Sequence, residues 1–171
     1  MSFKDSVRVG LELYLNGLRL KLDGLTPEEL RWQPSPTSNH IAWIAWHMAR
    51  GEDKMIARAG DLNSVWVDGD WASKFGFGEG AENTGGSWTI EQVVAMPEYS
   101  VELLLEYFSV VRERTISELE KSTDADLAKV YDAGAMGDIT GSWVFGHIIV
   151  EESGHLGQIA LIRGIIRGQE R

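Results

Sequence analysis

The sequence predicts an all-α protein: a bundle of four long helices, with short connecting helices and one long central loop. Three observations predict it. In four separate stretches the apolar residues recur every three or four positions, the helical period. No stretch shows a convincing two-residue alternation of the kind a half-buried strand needs. The two halves of the chain also carry similar motifs in the same order, as a duplicated helical hairpin would.

The first long helix is predicted over residues 4–23. Val7, Leu11, Leu15, Leu18, Leu22 and Leu25 form its stripe with Tyr14, in spite of Gly10 and Gly17. Thr26-Pro27-Glu28-Glu29-Leu30 follows. There Thr26 caps, Pro27 suits the first helical position and Glu29 completes a capping box, so a short helix runs to about Trp32. Pro34 and Pro36 end it. Ser38 or Asn39 is expected to cap a second long helix over 39–59, with Trp43, Ile44, Trp46, His47, Met48 and Met55 facing inward. From Gly60 to Ser87 periodicity is lost. This stretch is rich in Gly, Asp and Asn but holds Trp66, Trp71, Phe75 and Phe77. Loops of that length in a compact domain tend to be functional, and the aromatics predict that this one packs down.

Thr89-Ile90-Glu91-Gln92 is another capping box, opening a short helix that Pro97 interrupts. A third long helix carries Val101, Leu104, Leu105, Phe108, Val111, Thr115, Ile116 and Leu119. Residues 122–140 form a connector with a short helix near Asp124–Ala128. The fourth long helix covers 140–167, with Gly164 and Gly168 loosening its end. The repeat lies within these elements. Trp43-x3-His47 recurs as Trp143-x3-His147, Glu52 matches Glu152, and the Thr26 box resembles Thr123-Asp124-Ala125-Asp126-Leu127.

A chain of 171 residues suggests one domain over 1–171, large enough to need no staples. There is no cysteine, which excludes disulfides, thiolate zinc sites and a cysteine nucleophile. Any metal ligands must be His, Asp or Glu. The formal charge of −10 argues against nucleic acid and anionic membranes as partners. Residues 1–5 lack the pattern of a signal peptide and no run is long enough to span a bilayer, so a cytoplasmic location is expected.

Four histidines carry the argument further. His147, Glu151 and His155 lie at i, i+4 and i+8, on one helical face. Neighbours in that series are about 6 Å apart along the axis, and the two histidines about 12 Å. Glu151 therefore belongs to any ligand pair from this helix, with either His147 or His155. His47 on the second helix can supply a third ligand from across the bundle. Such a His2Glu set leaves open positions and suits Zn, Ni, Mn or Fe. A structural role is the common fate of a lone His, and His40 at a helix start is read that way. Trp43, Trp46 and Trp143 are read as core fillers or pocket walls. Asp68, Asp70, Glu79 and Glu82 are read as a solvated acidic loop, Glu52 and Asp53 as members of surface ion pairs, and Arg163 and Arg167 as favouring the dipole of the last helix.

Three segments resemble the DinB-like (DinB/YfiT) superfamily: residues 25–32 (LTPEELRW), residues 38–47 (SNHIAWIAWH) and residues 155–159 (HLGQI). The resemblance covers most of the chain and is least specific over 61–100. It implies an up-down-down-up four-helix bundle whose metal is held by one His on helix two and two His, four apart, on helix four. Carried over, it implies His47, Glu151 and His155 as metal ligands, with Glu151 where the family has His. It leaves His147 as an alternative ligand or a residue supporting the site.

Some relatives are thiol S-transferases using mycothiol or bacillithiol, and one is a maleylpyruvate isomerase. The resemblance thus implies a metal-dependent enzyme of hydrolase or thiol-transferase type, acting on a small-molecule substrate. Any thiol must be external, because the chain has none. The loop 61–88 is expected to cover part of the pocket, with Trp66 or Trp71 on its wall. Homodimerisation is implied as well, although no sequence feature marks it. The competing expectation is a non-enzymatic bundle that binds a ligand or serves as a homodimeric scaffold.

Overall fold

The computed structural model describes residues 2–78, 83–132, 134 and 137–168. The four long helices are α1 (Phe3–Leu22), α3 (Ile41–Gly60), α7 (Val101–Lys121) and α9 (Gly141–Arg167). Between them lie the short helices α2 (Pro27–Arg31), α4 (Val65–Asp68), α5 (Trp71–Lys74), α6 (Ile90–Val94) and α8 (Asp124–Ala128). The expected capping boxes form at Thr26, Thr89 and Thr123, each with its side chain on the N3 amide.

Helix directions follow from pairs of contacts. The space beside Gly10 is filled by Ile149 and that beside Gly17 by Leu156, so α1 and α9 advance together and are parallel. A Cβ at either glycine would lie within 3 Å of those side chains, which explains two helix-weakening residues in α1. Lys4 reaches the carbonyl of Ser122 while Arg19 reaches Ser109, so α1 and α7 are antiparallel. Arg50 meets Tyr107 and Gly60 lies beside Glu118, so α3 and α7 are parallel. The order is therefore up-down-down-up.

Three local expectations change. His40, not Ser38 or Asn39, caps α3: its Nδ1 accepts the Trp43 amide at 3.0 Å, and Nε2–H donates to Val93 O at 3.1 Å. The ring nitrogen does the work of a capping oxygen and ties α3 to α6. The stretch after Gly60 is not all loop. Asp53 accepts the amides of Val65 and Trp66 at 2.7 and 2.9 Å, capping α4 from within the core. The connector also holds a strand pair, β1 (Val130–Asp132) antiparallel to β2 (Asp138–Thr140). Three-residue strands are too short for an alternation to be read. Glu79 and Glu82 lie outside the described residues, while Asp68 pairs with Arg114. Among the described residues no helix is long and apolar enough to cross a membrane.

Burial depresses the pKa of His40, and its cap needs the neutral ring. The folded value lies below the unfolded one of about 6.5. Stability present above that pH is therefore lost as pH falls through it toward the folded value, at up to about 1.4 kcal/mol per unit. Urea midpoints measured across this range are expected to drop. His40→Asn, which keeps a capping oxygen but does not titrate, should flatten the drop. An equally steep profile in that variant would sink the assignment.

Candidate functional site

α3 and α9 face each other and enclose a cavity of about 320 Å³. His47 projects from α3, and His147, Glu151 and His155 from α9, with Thr84 closing one side. All four sequence-predicted site residues are thus brought together. The His47 and His155 rings meet edge to face, with centroids 5.0 Å apart. The Glu151 carboxylate sits between the α9 histidines, Oε1 at 3.5 Å from His147 Nε2 and Oε2 at 3.5 Å from His155 Nε2.

Hydrogen bonds fix which nitrogen each ring offers. His47 Nδ1–H donates to the Thr84 carbonyl at 2.5 Å, and His155 Nδ1–H donates to Gln158 Oε1 at 3.1 Å. In the neutral rings this leaves each Nε2 with its lone pair. Burial lowers the His47 pKa against the opposing pull of the Thr84 bond, which keeps the ring neutral at pH 7. The Trp–His repeat acquires a physical meaning here. Trp43 stacks on His47 at 4.6 Å and Trp143 on His147 at 4.3 Å. Trp43 and Trp46 are core residues, whereas Trp143 is 37% exposed and braces its histidine from outside.

Glu52 and Glu152 line the same cavity from below. They are not surface residues. Both are buried, with Arg112 between them: Nε and Nη2 donate to Glu52 at 3.0 and 2.8 Å, and Nη2 also donates to Glu152. Arg112 Nη1 donates to the Leu11 carbonyl. Burial raises both carboxyls. At Glu52 the Arg112 charge and hydrogen bonds outweigh it and hold the group low. At Glu152 the Glu52 charge adds to burial and holds the group well above the usual carboxylate range. A side-chain hydrogen bond also joins Glu152 to Glu52. Asp53 is likewise buried, bonded to Arg50 and Tyr107. The matched Glu positions of the repeat were the sequence signal for this cluster, but nothing in the sequence pointed to Arg112.

Trp66 and Trp71 do not reach the cavity wall. They are buried against Tyr107, at centroid distances of 5.4 and 5.0 Å. Thr84 takes the place expected for them, held by Gly85 in a left-handed conformation (φ 81°) that packs on Trp43 and Trp46. Arg163 donates to the Lys21 and Asp23 carbonyls at the end of α1, and Arg167 pairs with Glu29. Among the described residues, no group of three or more His, Asp or Glu side chains is arranged to hold a metal ion.

Comparison with known proteins agrees with the architecture. The crystal structure of a conserved protein from Enterococcus faecalis superposes with a TM-score of 0.87, at 22% identity over 99% of each chain, a likeness of fold. No curated protein matches the chain. The sequence model described as the DinB superfamily matches residues 15–159. Most of the chain, including every residue of the cavity described above, lies within that match, and the protein belongs to the DinB superfamily.

Proposed function

We propose that the cavity binds a divalent cation through His47, Glu151 and His155, and that the protein is a metal-dependent enzyme acting on a small molecule. One observation carries this reading. With Nδ1–H donated outward, His155 Nε2 presents a lone pair to a carboxylate oxygen 3.5 Å away. Two acceptors so placed call for a cation between them. Two ligands of one tetrahedral ion, each at about 2.1 Å, stand about 3.4 Å apart. The residues therefore fit in donor type, in tautomer and, for the Glu151–His155 pair, in spacing. Outer N–H bonds to a carbonyl or amide oxygen are what ligating histidines usually carry.

The cation would supply Lewis acidity toward a water or an external thiol, the chemistry of a hydrolase or of a thiol-dependent transferase. The chain's own part is to hold His47 neutral, to aim it through Thr84, and to surround a substrate with the apolar walls of Met48, Val144 and Ile148.

Protein purified without chelator is expected to contain divalent metal by elemental analysis. Added metal should raise the melting temperature, by about 2.7 kcal/mol of stabilisation at about 100-fold above Kd. His47→Ala and His155→Ala should lose both effects, and Thr89→Ala should keep them. A chain unmoved by Zn, Ni, Mn and Fe would instead be a non-enzymatic ligand-binding or scaffold bundle.

A further inference from the structure

The cavity has two polar ends joined by an apolar wall. His47, Glu151 and His155 meet at one end. Lys54 and Arg58 follow His47 on α3 by seven and eleven residues, share its face and line the same cavity. The helical rise sets them roughly 10 and 16 Å farther along the axis. α9 runs in the opposite direction to α3. Val144, and Ile139 of β2 just before that helix, therefore stand at the Lys54–Arg58 end. Met55, Val144 and Ile148 form the wall between the two ends.

The carboxylates of the cavity are already matched. Glu52 and Glu152 pair with Arg112, and Glu151 sits between two histidines. The two cations at the far end are not matched. Lys54 has no hydrogen bond or ion pair among the described residues. Arg58 donates through Nη2 to the Asp132 carbonyl in β1, a neutral partner that holds the side chain and leaves its charge. The Asp132 carboxylate turns away to accept the Gly134 amide. On a chain of charge −10, this pair of cations is a local place for an anion to settle.

We propose that Lys54 and Arg58 bind the carboxylate of a small organic acid whose apolar body lies along Met55, Val144 and Ile148. Its reacting group then stands at the other end, beside His47, Glu151 and His155. The reacting end rests on the cation reading above, and the carboxylate end does not.

Distance and volume set the size of the acid. A gap of roughly 10 Å between the ends and a cavity of about 320 Å³ suit a compact molecule, near the lower limit for small-molecule pockets. Donor number sets the head group. The Lys54 ammonium and the other N–H groups of Arg58 match the two oxygens of a carboxylate. A phosphate would bring a third oxygen, and no hydroxyl stands at this end to hold it. Among the described residues the cavity wall has one hydroxyl residue, Thr84, and that lies beside His47.

Calorimetric titration of the metal-free chain with hexanoate, hexanamide and hexyl phosphate tests this. Hexanoate should bind roughly 10-fold more tightly than hexanamide, because charge-assisted hydrogen bonds are the stronger kind. Lys54→Met should remove much of that preference, and Lys54→Met with Arg58→Met should remove all of it. Lys54 holds no structural hydrogen bond among the described residues, so the single variant reads binding separately from folding. Helical circular dichroism checks both chains. Zinc should still bind the double variant, since neither residue is a ligand. Equal affinity for hexanoate and hexanamide overturns the carboxylate site. So does a preference that survives the double variant, or tighter binding of hexyl phosphate than of hexanoate. Zinc binding decides the cation reading separately. A chain that prefers hexanoate but binds no zinc keeps the carboxylate site and loses the cation.

Discussion

Arg112→Leu is expected to lower stability by roughly 3–5 kcal/mol, read as a fall in the urea midpoint with little change in slope. The guanidinium touches Glu52, Glu152 and the Leu11 carbonyl, all away from water. Removing it leaves two carboxyls in the interior without their counter-ion, and that desolvation sets the size of the loss. The loss does not measure what the cluster adds to the fold. A triple variant, Arg112→Leu with Glu52→Leu and Glu152→Leu, should recover most of it, because an apolar replacement of a whole buried ionic group is often neutral. The triple variant should also keep His47 and His155 in place. An Arg112→Leu chain within about 1 kcal/mol of the parent would mean that water enters the cluster from the cavity.

Gly85→Ala is expected to damage both fold and site. At φ 81° an L side chain is strained, and the added Cβ would meet Trp46 at 2.7 Å and the Trp43 indole nitrogen at 3.0 Å. Backbone strain of about 1–2 kcal/mol and overpacking of about 1–3 kcal/mol together give roughly 2–5 kcal/mol. The neighbouring Thr84 carbonyl would shift from His47 Nδ1, freeing the ring to turn. Loss of such a supporting contact lowers metal affinity by about 10–100-fold. Metal titration by calorimetry reads this. Gly78→Ala is the control, because its Cβ would meet nothing within 4 Å. Unchanged affinity in Gly85→Ala would show that the carbonyl does not orient the ring.

The long helices and their inward stripes were legible because helical burial leaves a repeating trace: Val7, Leu11, Leu15, Leu18 and Leu22 are all buried as spaced. The cavity residues His47, His147, Glu151 and His155 were legible for the same reason, since spacing on a helix fixes which side chains share a face. What escaped depends on contacts distant in sequence. Arg112 looks like any helical arginine until Glu52 and Glu152 close around it. Thr84 contributes a backbone carbonyl, which no side-chain pattern records. His40 was placed as structural but not as the cap, because its ring substitutes for the Ser or Asn that marks helix starts. The loop aromatics pack down as their number predicts, but the expectation of Trp66 or Trp71 on the pocket wall fails, because the cap that Asp53 gives α4 turns both into the core.

The paired halves also divide labour. In the register that matches Glu52 to Glu152, Gly51 and Met55 stand where the second half has Glu151 and His155. The first hairpin brings His47 and leaves out donors at those two positions, while both residues line the cavity and Gly51 has open space at its Cβ. One hairpin thus supplies most of the donor groups and the other supplies the room between them. A chain symmetrical at these positions would crowd four more donor atoms into the same space.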